Sequence, residues 1–336
     1  MKLAFVGFQH PHMLEMYHHA QILDGVAVVA ACEENEGTRQ HLMARGDVSI
    51  THERFDQMLD AVECDAVAVG DYFARRGSLI LQALARGKHV LVDKPVCTSL
   101  AEIGQIERIC RERGLKLGCM LTMRDSGPII GLRNLIRSGL IGDVQAISFG
   151  GQHPLLPGTR PSWYFEPGKH GGTINDIVIH AVDAIPWITG QPFTVLHAAR
   201  TWNALAREHP HFRDGGQIMA SLGNACGVLG DVSYFMPNSM GYSLPHYWRM
   251  TFWGEKGMVE TSTTADSILV ALDGEPQPRL EPLPEGNPAG YFKAFLAEIA
   301  GQSRPDQLTT DVILTATRQA LTMQWAADVG AREVGL

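Results

Sequence analysis

In Gly87-Lys88-His89-Val90-Leu91-Val92-Asp93-Lys94-Pro95, a short apolar run stops abruptly at an acid, a lysine and a proline. The run His89-Val90-Leu91-Val92 follows a helical segment that closes on Gly87, and it reads as a parallel strand buried on both faces. Pro95 lacks the N–H that a ladder requires, so the strand ends there. Ligands of open α/β sheets sit in the crevice beyond the carboxyl ends of the strands, which makes Lys94 a candidate site residue.

The first 120 or so residues repeat this pattern. Leu3 to Val6, Val26 to Ala31, Ala66 to Val69, His89 to Val92 and Lys116 to Cys119 are short apolar runs. Between them lie segments with helical spacing, such as Leu79 to Leu84 and Ile103, Ile106, Ile109 and Cys110. Strands alternating with helices imply βαβ units, hence an α/β domain with a doubly wound parallel sheet. After Gly127-Pro128 and a helix-like stretch from Ile129 to Ser138, the character changes. Residues 144–150, 194–202, 217–222, 227–234, 248–253, 258–262 and 268–272 read as strands separated by Gly, Pro and Asn, which predicts an α+β domain with a large, mostly antiparallel open sheet. The expected division is 1–122 and 123–336. Glu275 to Pro288 reads as a surface excursion. A closing helix is predicted at about 311–328, with Ile313, Leu314, Leu321 and Trp325 facing inward.

A net charge of −8 with basic residues in no cluster argues against a nucleic-acid partner. Cys32, Cys64, Cys97, Cys110, Cys119 and Cys226 are scattered without a C-x-x-C pair, so neither a disulfide framework nor a zinc knuckle is expected, and a reducing cytoplasm fits. Met1 leads straight into a strand-like run, so no export signal is read there, and no apolar run approaches the roughly 18 residues of a membrane span. The histidines show no H-E-x-x-H or Cys/His spacing, and no metal is expected.

Two loops and one helix carry candidate chemistry. The first strand delivers Val6-Gly7-Phe8-Gln9-His10-Pro11-His12, which keeps only the first glycine of G-x-G-x-x-G. Pro11 suits the first turn of a helix whose free N–H groups could receive a pyrophosphate, though a plain tight turn reads equally well. Glu33, about 20 residues further on, stands where an acid pairs with a ribose 2′-hydroxyl and favours NAD over NADP; a solvated turn acid is the alternative. In Gly171-Gly172-Thr173-Ile174-Asn175-Asp176-Ile177-Val178-Ile179-His180, helical spacing puts Asp176 and His180 one turn apart, so the carboxylate could orient the imidazole. The glycine pair would let backbone approach a ligand. Equally, Thr173-x-x-Asp176 could be a helix cap and His180 an interior histidine.

Taken together, G-K-H-V-L-V-D-K-P and G-G-T-I-N-D-I-V-I-H-A-V-D resemble the Gfo/Idh/MocA oxidoreductases, with Asp93 standing for the glutamate of E-K-P and with Asp176 and His180 matching the G-G-G-x-x-x-D-x-G-x-H pattern. Gly139-Leu140-Ile141-Gly142-Asp143 is a link typical of that family. The resemblance implies an N-terminal Rossmann domain and a C-terminal sheet through which a homodimer or homotetramer forms. It also implies hydride transfer between NAD and a hydroxyl or carbonyl of a sugar, cyclitol or sugar derivative. Lys94, Asp176 and His180 would be catalytic. Gly7, Phe8, Gln9, His10, Glu33, Gly70, Asp71, Lys94 and Pro95 would lie at the cofactor. Arg124, His153, Arg160 and Trp163 would join Lys94, Asp176 and His180 at the substrate. The chain departs from the pattern at His170, at Val178 and at Gly70-Asp71-Tyr72, where a Thr-Pro-Asn-like turn is usual. A redox-assisted sugar lyase or glycosidase with tightly held NAD, or a non-catalytic sugar or nucleotide sensor, are the alternative functions.

Overall fold

The computed structural model describes all 336 residues and divides into two compact units. The first comprises 1–120, 161–171 and 291–317; the second comprises 121–160, 172–290 and 318–336. The chain first crosses between units after residue 120 and later returns to the first unit twice.

In the first unit, β1 (Lys2–Val6), α1 (His12–Ile22), β2 (Ala27–Cys32), α2 (Glu36–Arg45), α3 (Phe55–Ala61), β3 (Ala66–Val69), α4 (Phe73–Ala85), β4 (His89–Val92), α5 (Leu100–Arg113) and β5 (Leu117–Cys119) follow in order. The strands form a parallel sheet in the order β2-β1-β3-β4-β5. All four residues of β3 are buried, as are Val90, Leu91 and Val92, because a doubly wound sheet is covered on both faces and selects continuous apolar runs. The Ser99 side chain accepts from Glu102 N–H to start α5, and Gly114 ends it in the left-handed region at φ 66°.

The turns after β1 and β3 meet at the point where the strand order reverses. Gly70 N–H donates to Val6 O at 2.8 Å and Asp71 N–H to Gly7 O at 3.2 Å. A Cβ on Gly7, whose φ is 76°, would lie 2.7 Å from Asp71 Cβ, so the close approach of the two turns demands glycine. Crevices of this kind receive ligands in open α/β sheets.

In the second unit, α6 (Gly127–Arg137), β6 (Val144–Pro154), a π-helical turn (Ile174–Val178), α7 (Ile179–Thr189), β7 (Phe193–Trp202), β8 (Gly215–Leu222), β9 (Gly227–Met236), β10 (Arg249–Gly254), β11 (Gly257–Ser262), β12 (Ser267–Leu272) and β13 (Arg279–Pro282) follow. Then come α8 (Gly290–Ile299), α9 (Thr310–Val329) and β14 (Arg332–Gly335). The nine-stranded sheet runs β13-β12-β11-β10-β6-β9-β8-β7-β14, antiparallel except where β6 and β9 pair in parallel. Its burial alternates: Ile218, Ala220 and Leu222 face the core while Gln217 and Met219 face out.

Three expectations need correction. The Glu275 to Pro288 excursion contains edge strand β13, which pairs only with β12 and so tolerates Pro282 at its end. β14 lies beyond the closing helix and pairs with β7. On that helix Ile313, Leu314 and Leu321 are buried as expected, but Trp325 is 46% exposed and Met323, Gln324 and Ala326 are the buried residues of its last turns.

Candidate active site

At the carboxyl end of the first sheet, β4 hands over to a buried segment, Asp93-Lys94-Pro95, whose Lys94–Pro95 peptide is cis. Asp93 Oδ1 is 2.9 Å from His12 Nδ1, and Asp93 Oδ2 is 2.6 Å from Arg76 Nη2. His10 Nδ1 also approaches Oδ2 to 2.7 Å, without the alignment of a good hydrogen bond, while its Nε2 is 3.2 Å from the Tyr164 hydroxyl. Burial pushes the Asp93 carboxyl up, but Arg76, His10 and His12 outweigh it and hold it well below the usual range. For His10 the balance is opposite: burial outweighs the attraction of Asp93, and its pKa falls to about 3. The Arg76 guanidinium, buried with Asp93, balances the charge of this carboxylate.

The two turns at the strand-order reversal are tied into the same unit. Gln9 Nε2 donates to Asp71 Oδ1 at 2.7 Å, and Arg75 Nη1 reaches Asp71 Oδ2 at 3.0 Å while its Nη2 pairs with Glu34. Asp71 holds φ 80°, a strained conformation for a residue with a side chain, kept in place by these bonds. Trp163 Nε1 donates to Gln9 O at 3.2 Å, so this residue braces the β1 loop within the first unit.

Glu33 directly follows β2. It is fully buried, its Oε2 accepting from Phe8 N–H at 2.6 Å and its Oε1 from Asn35 N–H at 2.7 Å. The acid shapes the β1 loop from beneath, and a ribose hydroxyl would have to share it. Burial raises its pKa to about 7, against the lowering effect of those two N–H donors. The folded state therefore holds the Glu33 proton more tightly than the unfolded chain, so this contribution to stability is present at low pH and is lost as pH rises from about 4.5 to 7. Relative to Glu33→Gln, which cannot ionise, the unaltered protein should lose on the order of 2–3 kcal/mol across that window in urea unfolding. A stability difference independent of pH would contradict this assignment.

In the second unit, Asp176 does not complete a capping box. Thr173 Oγ1 donates to Arg213 O, and the start of the π-helical turn is capped by Gln324 Oε1, which accepts from Ile174 N–H at 2.9 Å and Asn175 N–H at 3.3 Å. Gly172, at φ 97°, owes its identity to this cap: a Cβ there would lie 2.2 Å from Gln324 Cδ. Gly172→Ala should cost about 2 kcal/mol by combining left-handed strain with a displaced cap. A loss below about 0.5 kcal/mol in urea melts would show that the glycine is dispensable.

The π-helical turn carries Asp176, and the α-helix that follows carries His180. Single π turns of this kind recur at functional sites. Asp176 Oδ2 accepts from the Tyr234 hydroxyl. His180 lies edge-on to Trp248 at 5.4 Å between ring centroids, and His153 stands 6.0 Å from Tyr234 and 5.9 Å from Trp248. Arg160 lies over the Tyr234 ring at 4.9 Å and donates to Leu155 O and Pro154 O. The second unit thus gathers Asp176, His180, His153 and Arg160 around Tyr234 and Trp248. Arg124 Nε and Nη2 are held by Asp183 of α7 at 2.7 and 2.6 Å.

Two residues central to these arrangements escape the motif search. Tyr234 is inward on β9 by its alternation with Val228, Gly230 and Val232, but alternation says nothing of where its hydroxyl ends. Arg76 is an arginine inside the buried stripe of α4, between Phe73 and Ile80, and a charge in an apolar stripe is a readable signal.

The profile of the oxidoreductase family with an NAD-binding Rossmann fold matches residues 1–120, and that of the GFO/IDH/MocA C-terminal domain matches 129–260. The chain is 27% identical to a dTDP-3,4-didehydro-2,6-dideoxy-alpha-D-glucose 3-reductase of Saccharopolyspora spinosa over 61% of its own length and 58% of the relative's. It is 26% identical to an inositol 2-dehydrogenase of Streptomyces avermitilis over 72% of its length and 68% of the relative's. Across several other curated relatives it spans about half of their length. An Agrobacterium radiobacter oxidoreductase solved with NAD+, L-tartaric acid and magnesium superposes with a TM-score of 0.81 at 16% identity, covering 100% of this chain and 98% of that one. The apo scyllo-inositol dehydrogenase of Lactobacillus casei superposes at 0.73 and 20% identity, covering 100% and 98%. At these identities the structural likeness shows the fold.

Proposed function

The chain belongs to the Gfo/Idh/MocA family of NAD-binding oxidoreductases, and from that premise we propose that it transfers a hydride between NAD and a hydroxyl or carbonyl of a sugar, cyclitol or sugar derivative. The observation that carries the reading is Lys94, delivered by β4 to the carboxyl end of an NAD-type parallel sheet in a segment bound from within by Arg76 and Asp93. The β1 loop fits a nucleotide in part. Gly7 and the first turn of α1 form the expected strand–turn–helix, and Phe8 N–H is already committed to Glu33.

Bound nicotinamide supplies the hydride acceptor. Oxidation of a carbinol leaves charge on its oxygen unless the hydroxyl proton departs, and taking that proton is the work of His180, an imidazole able to act as general base. Asp176, fixed by Tyr234, orients the substrate hydroxyl and the histidine. The Lys94 ammonium stabilises developing alkoxide charge. His153 and Arg160, grouped with Tyr234 and Trp248, supply the polar and aromatic surface that a polyol needs. Arg124 is proposed to hold α7 through Asp183 and to leave substrate contact to the others.

Titration of nucleotide-free protein with NADH and NADPH, followed by nicotinamide fluorescence, tests the cofactor. Tighter NADH binding is expected, since a 2′-phosphate would meet Glu33 and Glu34, and binding of neither would overturn the reading. The outward face of the nine-stranded sheet exposes Met219, Leu229 and Trp253 beside one another, with Leu229 58% exposed, and a second copy of the chain is the proposed cover. A monomer in light scattering would remove that part. The six cysteines are all buried and unbridged, consistent with the proposed cytoplasmic setting, and no helix is long and apolar enough to cross a membrane.

A further inference from the structure

Beyond Val92 the β4 backbone leaves its ladder, and the carbonyls of Asp93, Lys94 and Pro95 turn to a single partner. Arg76 Nη1 lies 2.9 Å from Asp93 O, 2.5 Å from Lys94 O and 3.1 Å from Pro95 O. Its Nη2 donates to Asp93 Oδ2 at 2.6 Å and its Nε to Asp71 O at 3.2 Å. The guanidinium is fully buried and its carbon stands 4.6 Å from the centre of the Phe73 ring. One side chain therefore binds the turn after β3 to three successive carbonyls after β4, and its charge keeps Asp93 ionised within reach of His10 in the β1 loop and His12 at the start of α1.

We propose that Arg76 is a positioning residue of the hydride-transfer reaction: it fixes the backbone from which Lys94 projects and, through Asp93, locks that backbone to the β1 loop. The inference rests on the catalytic role of Lys94 given above. Three features support it beyond simple structural filling. A hydrophobic residue would satisfy this position on α4, whose neighbours Leu79, Ile80, Ala83 and Leu84 are apolar and buried. Buried carbonyls need donors, and three consecutive ones off the ladder have none from regular structure. Only a planar fork with five N–H groups reaches them together with a carboxylate and a fourth carbonyl; an ammonium on a flexible stem cannot. Misplacement of a reacting group by about 1 Å costs on the order of 100-fold in rate, so a clamp on this segment acts on turnover more than on binding.

A double-mutant cycle tests it. Arg76→Lys, Lys94→Met and the double variant are compared with the unaltered protein for NAD+ reduction on myo-inositol, D-xylose and D-glucose, using whichever turns over fastest, with NADH affinity measured alongside. Arg76→Lys is expected to lower kcat by about 30-fold or more while KM and NADH affinity move by no more than about threefold, and to have no further effect in the Lys94→Met background. Unchanged kcat in Arg76→Lys, or losses that multiply in the double variant, would overturn the inference. A Lys94→Met variant with full turnover, or an unaltered protein that reduces NAD+ on none of the three, would instead overturn the role of Lys94 or the proposed function, and the inference with it. If Arg76→Lys does not fold, Asp93→Asn replaces it in the cycle, with a smaller loss of kcat that again disappears in the Lys94→Met background; multiplying losses overturn the inference here too.

Discussion

Lys94→Met is expected to lower turnover by about 100- to 10,000-fold and to change NADH affinity by no more than about threefold. The size follows from where the residue stands. Lys94 is buried at the carboxyl end of a parallel sheet, and a fixed positive charge in a water-poor site interacts with developing negative charge far more strongly than in bulk solvent. The neutral thioether keeps most of the length and bulk of the side chain while removing its charge and its N–H donors. The charge that Lys94 meets on the alkoxide develops only in the transition state, so the loss falls on kcat. If NADH affinity collapsed while turnover of bound cofactor persisted, Lys94 would be a binding residue, and alkoxide stabilisation would have to come from elsewhere.

Arg76→Met should destabilise the fold by about 3–5 kcal/mol, the range for removing one member of a buried ion pair and stranding the other. Asp93 and Arg76 are both fully buried, and the substitution also leaves the carbonyls of Asp93, Lys94 and Pro95 without their donor. The pH dependence distinguishes the two losses. Asp93 has a depressed pKa, so the stability it contributes is present above its unfolded value of about 3.9 and is lost as pH falls through the folded one. The gap between Arg76→Met and the unaltered protein should therefore be largest near neutrality and narrow as pH falls, because Asp93, without the guanidinium, takes up its proton in the variant at a pH where it is still ionised in the unaltered protein. A gap of constant size would assign the cost to the carbonyls alone. A total below about 1 kcal/mol in urea melts would mean that Asp93 finds a compensating partner.

Alternation of short apolar runs with helical spacing was enough to read the parallel sheet, down to the residues of β3 and β4, because a strand covered on both faces has no polar positions to blur its edges. The core strands of the nine-stranded sheet were readable as strand-like runs separated by Gly, Pro and Asn. The edges were not. β13 and β14 each pair on one side only and lack the apolar density that marks a strand, and β14 carries the exposed charges of Arg332 and Glu333.

The candidate site was legible as residue types and spacing, and less so as partnerships. Lys94 and the Asp176–His180 pair stand out in the chain. What holds each of them is long-range: Arg76 meets Asp93 across 17 residues, Tyr234 meets Asp176 across 58, and Gln324 caps the π-helical turn from 150 residues away. Local pattern cannot supply such pairings. For the same reason Thr173-x-x-Asp176 offers a cap where the fold uses Gln324, and spacing shows neither the Arg124–Asp183 pair nor the bond from Phe8 N–H to Glu33. Trp163, three residues beyond Arg160, belongs to the first unit where Arg160 belongs to the second, a division that only the folded chain reveals.

The most direct measurement is of hydride origin. The protein would be incubated with NAD+ and with cyclitols and aldoses deuterated at individual carbinol carbons, and deuterium in the reduced nicotinamide read by mass spectrometry. The expected result is a single deuterium in the dihydronicotinamide, from one carbon of one polyol class, lost in His180→Asn at unchanged NADH affinity. Binding of NADH with no label transferred from any of these polyols would contradict hydride transfer as the chemistry of this site.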